Sequence, residues 1–361
     1  MKIPINIPDI GKEEIREVTA VLSEKSLTSP SFDGGKRVQQ FEKLLSKFVK
    51  SKFAVAVNSG TAALQASLYA IDIKPGDEVL VPSFTFVATA NSVKSVGAKP
   101  VFVDILKDNY TMDPNDLRKK ITRRTKAIIP VHLYGHMAYI DEILEIAKKR
   151  DIKIIEDASQ SLGSKLNGKH SGTFSDFGCF SLYAGKVITS GEGGAIVTNN
   201  KKLFEKLKQI RNHGLSKNNL TTTFGLNLRL SEISAAIAKI QMTKLPHLLS
   251  QRKKNAKILS ELLENRDIIL PKQRKNETVN WYLYTISIKN RDKTVRKLNS
   301  SGIGARVYYS PAIHETPYYK TRLHLPNTEW AASHVTSLPV HPKIRKQDLV
   351  RMKKILLENR D

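Results

Sequence analysis

Apolar and polar positions in the first half of the chain follow a repeating order of helix and strand. Apolar residues three and four positions apart predict helices, and short apolar runs between them predict strands. The helices are predicted over 38–48, 61–69, 86–96 and 140–149, and the strands over 53–57, 78–81, 100–103, 127–131 and 153–156. This order is typical of an α/β protein whose mostly parallel sheet is covered by helices on both faces.

Several residues that follow the predicted strands have chemistry suited to a ligand site. Asn58, Pro82, His132 and Asp157 each lie at the carboxyl end of a predicted strand. Because ligands of parallel α/β sheets bind at that edge, we expect the functional site there.

The pattern changes after Lys186. Helices are predicted over 203–210, 232–243 and 247–263, and Leu245-Pro246 is expected to break the chain between the last two. A strand over 282–288 and helices over 294–299 and 347–357 predict a smaller α/β unit. We therefore expect a large domain over 1–245 and a small C-terminal domain over 246–361.

The composition fits this division. The chain has 361 residues, of which 40% are hydrophobic, enough for a packed core. Its single cysteine, Cys179, excludes an intrachain disulfide and is interpreted as a small buried hydrophobe. Because the first residues carry no apolar signal core and no apolar run reaches membrane-span length, we expect a cytoplasmic protein without a membrane partner.

The formal net charge of +25 is the most unusual feature of the composition. Such an excess attracts anions, including nucleic acids. However, the lysines are spread over the predicted helices, without a helix-turn-helix, zinc-finger or RNA-binding motif. We interpret the charge as a solvated basic surface suited to a diphosphate-bearing substrate, and expect no nucleic-acid partner.

Lys186 lies in a loop between two apolar runs, and glycines within 191–194 allow its backbone to approach a flat ligand. A lone lysine in such a loop is usually a surface residue. Two upstream segments change this interpretation. Asp157 ends an apolar strand, and the segment 58–61, Asn-Ser-Gly-Thr, joins a strand to a helix.

An amine, a carboxylate and a helix N-terminus are the parts that hold pyridoxal phosphate. Lys186 would supply a Schiff-base amine, and Asp157 would keep the pyridine nitrogen protonated. Gln160 could donate to the ring hydroxyl, and the helix N-terminus at 58–61 would bind the phosphate. Taken singly, Asp157 could instead pair with a helix end or an arginine, and the segment 58–61 could be an ordinary N-cap.

His132 and His136 have the i, i+4 spacing of a metal pair on a helix. A predicted strand precedes them, Gly135 lies between them, and no cysteine or carboxylate cluster joins them. We therefore expect no metal site, and a structural or cofactor-pocket role for both histidines.

These segments together resemble the DegT/DnrJ/EryC1/StrS family of sugar aminotransferases, a branch of the fold-type-I pyridoxal-phosphate enzymes. The resemblance spans nearly the whole chain and includes VAVNSGTAAL at 55–64, EDASQ at 156–160 and the Lys186 loop. Further matching segments are 10–14, 81–89, 131–135, 227–236 and 338–342. The resemblance implies the pyridoxal-phosphate transferase fold of type I, with a large domain built on a mostly parallel sheet and a smaller C-terminal α/β domain.

The resemblance also implies roles for individual residues. Lys186 would be the catalytic residue and carry pyridoxal phosphate, which alternates with pyridoxamine phosphate. Asp157 would bind the pyridinium, and Phe86 would stack on the ring unless it is an ordinary core residue. The other cofactor-binding residues would be Ser59, Gly60, Thr61, Gln160, Ser181 and, from the second subunit of a homodimer, Asn227.

A segment near the C-terminus is expected to shape the sugar pocket. The family often has histidine where this chain has Tyr308, whereas His314 keeps the later part of the pattern. Tyr309, His314 and Arg229 are the expected substrate-binding residues, although by local sequence Arg229 is only a turn residue before a helix. The departure at Tyr308 leaves the acceptor's identity open.

The expected reaction transfers an amino group from glutamate to a keto sugar linked to a nucleotide, in two half-reactions. A keto-inositol aminotransferase and a sugar dehydratase on the same fold are alternatives. Relatives that dehydrate sugars replace the lysine with histidine, whereas Lys186 is intact here. A basic nucleic-acid-binding protein that has retained a cofactor fold is a remoter alternative.

Overall fold

A computed structural model describes residues 2–264 and 268–357. The strands are β1 (Phe53–Val57), β2 (Glu78–Pro82), β3 (Lys99–Val103), β4 (Thr125–Ile128), β5 (Lys153–Asp157), β6 (Lys165–Leu166), β7 (Lys169–His170), β8 (Phe177–Ser181), β9 (Gly194–Thr198), β10 (Ile268–Ile269), β11 (Glu277–Thr278), β12 (Tyr284–Ile288) and β13 (Val335–Leu338). The helices are α1 (Lys12–Ser23), α2 (Lys36–Val49), α3 (Gly60–Ala70), α4 (Ala88–Ser95), α5 (Pro114–Lys120), α6 (Ile140–Lys148), α7 (Lys201–Arg211), α8 (Glu232–Leu263), α9 (Arg291–Ser300), α10 (Pro326–His334) and α11 (Lys346–Leu357).

The central sheet has seven strands in the order β1-β9-β8-β5-β4-β2-β3. From β8 to β3 the neighbours are parallel, which confirms the predicted mostly parallel sheet. Strand β9 is antiparallel to both β1 and β8. The Lys186 loop joins β8 to β9 without a crossover helix, and this short connection requires the antiparallel pairing.

Helices cover both faces of this sheet, as the sequence pattern predicts. One apolar cluster joins α3, α4 and α7 to side chains such as Val55 and Val57 of β1. A second joins α2 and α8 to the alternate residues Ala54 and Ala56, which point to the opposite face. The sheet is therefore buried on both sides, and the ends of its strands are where a ligand can enter.

Helix α8 runs unbroken through Pro246, so the predicted break was wrong. An interior proline removes one intrahelical hydrogen bond and crowds the preceding turn, which costs about 3 kcal/mol. Packing on both sides of the proline offsets this cost. Leu245 and Leu248 are buried against the large sheet, whereas Ala256 and Leu259 belong to the C-terminal core. The expected domain boundary thus falls inside one helix, and the two-domain division stays a prediction.

The first residues pack with the C-terminal region, although the sequence division assigns them to the large domain. The N–H of Ile3 donates to the carbonyl of Gly302 at 2.7 Å, and the N–H of Gly304 donates to the carbonyl of Ile3 at 2.6 Å. Ile3 is buried in one cluster with Leu298 and Ile303. The first residues of the chain therefore belong to the core of the C-terminal region.

Two further sheets have three strands each, in the orders β10-β12-β13 and β11-β6-β7. The first forms the core of the C-terminal region together with α9 and α11. Within 2–264 and 268–357, no helix combines the length and the apolar character needed to cross a membrane.

Candidate active site

A cleft of about 470 Å³ opens at the carboxyl ends of the parallel strands. Asp157 ends β5 and Ser181 ends β8, and both residues line the cleft. The N-terminus of α3 and the Lys186 loop also reach it. The position agrees with the expectation from the strand ends.

Lys186 enters the cleft from the loop between β8 and β9. Its Nζ lies 4.8 Å from the centre of the Tyr282 ring. Burial lowers the pKa of Lys186 to about 8, although the nearby Asp157 carboxylate acts in the opposite direction. Because a lysine acts as nucleophile or base only when neutral, this environment favours both kinds of chemistry.

Asp157 is 5% exposed and is held by two neutral donors. Thr89 Oγ1 donates to its Oδ2 at 2.9 Å, and the backbone N–H of Ser159 donates to its Oδ1 at 3.2 Å. In the described part of the chain no lysine or arginine forms an ion pair with it, and its carboxylate acts on Lys186 only through its charge. Because a buried carboxylate requires a partner, Asp157 favours a cationic group in the cleft.

The N-terminus of α3 lies beside the end of β8. A Cβ on Gly60 would lie 2.9 Å from Ser181 Cβ, and one on Gly194 would lie 2.3 Å from the Ser59 carbonyl oxygen. Glycine is required for both approaches, which bring Ser59, Thr61 and Ser181 together at the cleft. The first N–H groups of a helix have no intrahelical partner, so this corner can bind an anion.

Phe86 lines the cleft and is 56% exposed, so it is not an ordinary core residue. Its ring centre lies 5.9 Å from that of Tyr309. An aromatic face held open to a cleft suits stacking on a flat ligand.

Gln160 connects the cleft wall to the loop after β4. Its Oε1 accepts a hydrogen bond from the N–H of Tyr134 at 2.9 Å, and its Nε2 donates to Tyr309 Oη at 3.0 Å. Burial raises the pKa of Tyr309 well above its usual value. The amide nitrogen of Gln160 has a second N–H, which remains for a ligand.

Asn227 and Arg229 are not among the residues that line this chain's cleft. Asn227 is exposed, and its carbonyl accepts a hydrogen bond from Asn58 Nδ2 at 3.4 Å. Arg229 Nη1 donates to Asn212 Oδ1 at 2.7 Å. The amide of Asn227 is therefore open to a second copy of the chain, and its contact across an interface stays a prediction.

His314 is 2% exposed and does not line the cleft. Its Nδ1 shares a hydrogen bond of 2.7 Å with Ser83 Oγ, and its Nε2 lies 3.5 Å from Glu329 Oε1. This position holds the loop around His314 against the end of β2. The substrate contact expected of His314 stays a prediction.

His132 and His136 have protein partners. His132 Nε2 bonds to Glu156 Oε2 at 2.9 Å, and its Nδ1 accepts the N–H of Ala138 at 3.0 Å. The His136 ring packs on the edge of Trp281 at a centroid distance of 5.8 Å. Within the described ranges no group of three or more histidine, cysteine, aspartate or glutamate residues could hold a metal ion.

Several residues of the cleft were not assigned from the sequence. Thr89, Tyr183, Glu192 and Tyr282 line it, as does Tyr308. Two of them had a signal in the sequence. Thr89 lies in the segment 81–89 that carries the family resemblance, and Tyr308 stands where the family often has histidine. Nothing in the local sequence distinguishes Tyr282, which the fold brings to the cleft from the region after α8.

A family model described as the DegT/DnrJ/EryC1/StrS aminotransferase family matches residues 8–356. The chain is 36% identical to the UDP-N-acetyl-3-dehydro-alpha-D-glucosamine 3-aminotransferase of Acidithiobacillus ferrooxidans, over 92% of this chain and 91% of that protein. It is also 36% identical to the dTDP-3-amino-3,4,6-trideoxy-alpha-D-glucose transaminase of Streptomyces venezuelae, over 94% of this chain and 91% of that protein.

Solved structures share the whole architecture. DesV of Streptomyces venezuelae matches with a TM-score of 0.93 and 33% identity, covering 99% of this chain and 98% of that chain. Spr1654 of Streptococcus pneumoniae has been solved in a pyridoxal-phosphate form and a pyridoxamine-phosphate form. It matches with a TM-score of 0.92 and 27% identity over 99% or more of both chains.

Proposed function

Because the chain belongs to the DegT/DnrJ/EryC1/StrS aminotransferase family and is a pyridoxal-phosphate-dependent aminotransferase, we propose that it transfers an amino group from glutamate to a keto sugar carried on a nucleoside diphosphate. The proposed cofactor site is supported above all by Asp157, which is buried, has only neutral hydrogen-bond donors and lines the same cleft as Lys186.

The residues of the cleft fit the cofactor. When bound, pyridoxal phosphate supplies an electron sink for a carbanion at the amino donor's α carbon. Asp157 supplies the negative charge beside which a protonated pyridine ring is stable. Ser59, Ser181 and the N–H groups of α3 would hold the phosphate, and Phe86 would support the flat ring.

Lys186 has the proton-transfer role in this proposal. Burial lowers the pKa of Lys186 to about 8, so a larger share of its amine is neutral at physiological pH than in an ordinary lysine. Its neutral amine can take a proton from the donor's α carbon and hold it for return. The Tyr282 ring, 4.8 Å from the amine, covers one side of it.

The choice of a nucleotide-linked sugar rests on the relatives and on the cleft. Both curated relatives are named for amino transfer on sugars that carry UDP or dTDP. Tyr183 and Tyr308 give the cleft aromatic walls that can pack on a sugar ring. The net charge of +25 attracts a diphosphate. We therefore place the reaction in amino-sugar biosynthesis.

A substrate panel tests this assignment. The enzyme is first aminated with glutamate, which should convert the pyridoxal spectrum to the pyridoxamine spectrum. Keto sugars on UDP or dTDP, the corresponding free keto sugars and keto-inositols are then added separately. We expect the nucleotide-linked compounds to restore the pyridoxal spectrum about a hundredfold faster than the others, because the free compounds lack the nucleotide's binding energy.

Two outcomes of the panel would contradict the proposal. Faster return of the spectrum with keto-inositols would establish the inositol reaction instead. Release of water from a sugar, with no amino product, would establish a dehydratase. If aspartate or alanine aminates the enzyme and glutamate does not, only the choice of amino donor is wrong.

We also infer that the active unit is a homodimer in which Asn227 completes the partner's phosphate site. Lys186→Ala and Asn227→Ala chains should each be inactive or strongly impaired alone. In a mixed dimer one site carries both lesions and the other carries neither, so mixing should restore activity toward one working site per dimer. Activity is measured after subunit exchange has been confirmed by mass. Confirmed exchange without recovery would place both residues in one chain's site.

A further inference from the structure

The backbone that carries Lys186 is held from behind by the N-terminal segment. Asn6 Nδ2 donates to the carbonyl of Gly185 at 2.9 Å and to that of Lys186 at 3.1 Å. These two oxygens belong to the consecutive peptide groups on either side of the Lys186 Cα. Asn6 therefore fixes the point from which the reactive side chain extends.

Arg252 of α8 holds Asn6 in turn. Its Nη2 donates to Asn6 Oδ1 at 2.6 Å. Its Nη1 donates to the carbonyls of Trp281 at 3.3 Å and Tyr282 at 3.1 Å. Since the Tyr282 ring lies 4.8 Å from Lys186 Nζ, one guanidinium links the backbone behind Lys186 to the ring that covers its amine.

Burying the Arg252 guanidinium at this position costs folding free energy. It is 1% exposed, and its Nε has no hydrogen-bond partner. Its hydrogen bonds go to neutral oxygens, and in the described part of the chain no carboxylate pairs with it. Burial lowers its pKa to about 10. A buried charge without a counter-ion destabilises a fold, which points to a role beyond packing.

We propose that Asn6 and Arg252 are positioning residues of the active site, which hold the Lys186 backbone and the Tyr282 ring so that the lysine amine stays shielded and reactive. The proposal rests on the proposed role of Lys186. None of these hydrogen bonds involves a ligand, so the tether formed by Asn6 and Arg252 can be measured with or without the cofactor.

The titratable groups that line the cleft together with Lys186 come from several elements: Asp157, Tyr183, Glu192, Tyr282, Tyr308 and Tyr309. Among the described residues, the side chain of Asn6 bonds only to Gly185, Lys186 and Arg252. Asn6→Ala therefore reaches the amine through the tether and leaves the surrounding charges in place.

The variant Asn6→Asp tests the loss of the tether in a chain that should still fold. Aspartate keeps an oxygen for Arg252 and adds the missing negative charge, so the melting temperature should equal or exceed that of the native chain. Its carboxylate cannot donate to the carbonyls of Gly185 and Lys186, so the loop should loosen and the Lys186 amine should gain water. The pH midpoint for chemical labelling of Lys186 should then rise toward that of an ordinary lysine.

The measurement is acetylation of Lys186 with trace acetic anhydride across a pH series, read on its peptide by mass spectrometry. Full-length protein freed of cofactor is used, and its folding is checked by a melting curve. We expect labelling of Lys186 in Asn6→Asp and Asn6→Ala to fall about tenfold near neutral pH, the change that one unit of pKa produces. In the holoenzyme, the pH midpoint of the visible band should move as well.

Asn255→Ala is the matched control. Asn255 lies on α8, the helix that carries Arg252. Its Nδ2 donates to the carbonyls of Val340 at 3.4 Å and His341 at 3.0 Å, away from the Lys186 loop. Its Lys186 profile should be unchanged. A native Lys186 profile in both folded Asn6 variants would overturn the proposal, and so would an equal shift in the control. Because the labelling needs no substrate, failure of the substrate panel would be recognised separately.

Discussion

Replacing Lys186 with alanine should reduce the half-reaction with glutamate by at least about a thousandfold. The variant loses both the amine that would carry the cofactor and the base that takes the donor's α proton, and general base catalysis alone contributes about a hundredfold to ten-thousandfold. No other lysine is among the residues that line the cleft in the described part of the chain. The rate is measured as the spectral change after mixing with glutamate.

The covalent link gives an independent measurement of the same assignment. Borohydride should fix the cofactor of the native enzyme to a peptide containing Lys186, and no labelled peptide should form from Lys186→Ala. Lys169→Ala is the control, since Lys169 is exposed on β7 and packs on Phe174 outside the cleft. A labelled peptide carrying a different lysine would refute the assignment.

Asp157→Asn should bind the cofactor yet lose about a hundredfold or more of the half-reaction rate. Asparagine is close in shape and can still accept the hydrogen bond from Thr89 Oγ1. It lacks the negative charge that would keep the pyridine nitrogen protonated, and removing one such electrostatic partner costs about that much. The rate with glutamate is measured at saturating cofactor, beside a melting curve that establishes folding.

Asp176→Asn supplies the comparison for this substitution. Asp176 Oδ2 accepts the N–H of Ile154 at 3.1 Å, at the opposite end of β5 from the cleft. Asp176→Asn makes the same chemical change next to β8 but outside the cleft, so the half-reaction rate of this variant should remain near native. If Asp157→Asn is folded and turns over like Asp176→Asn, the carboxylate of Asp157 has a structural role only.

The sequence predicted the sheet well because the signals that specify it are local. Apolar runs and helical periodicity act over a few residues, and each predicted strand of the parallel part is present. The candidate residues Ser59, Gly60, Thr61, Asp157, Ser181 and Lys186 all line one cleft. Each follows or precedes a strand end, so the parallel order of the sheet brings them to one edge.

The differences between the sequence pattern and the structure have another origin. The expected break at Pro246 depended on a local cost of about 3 kcal/mol, which the burial of residues such as Leu248 and Leu259 on α8 overrides. The substrate role of His314 stays a prediction, and its burial against Ser83 follows from no local pattern. In both cases the deciding contacts lie far away in the sequence, where no local pattern describes them.

The sequence alone determined the α/β class and the candidate groups of the site, because these follow from residue type and local spacing, and its motifs carried the resemblance to the family. Only the tertiary structure decided what surrounds those groups. It placed Thr89 on Asp157, the Tyr282 ring beside the Lys186 amine, and Asn6 behind the Lys186 backbone. Burial lowers the pKa of Lys186 and hydrogen bonds across such separations hold its backbone, and both exist only once the chain is packed.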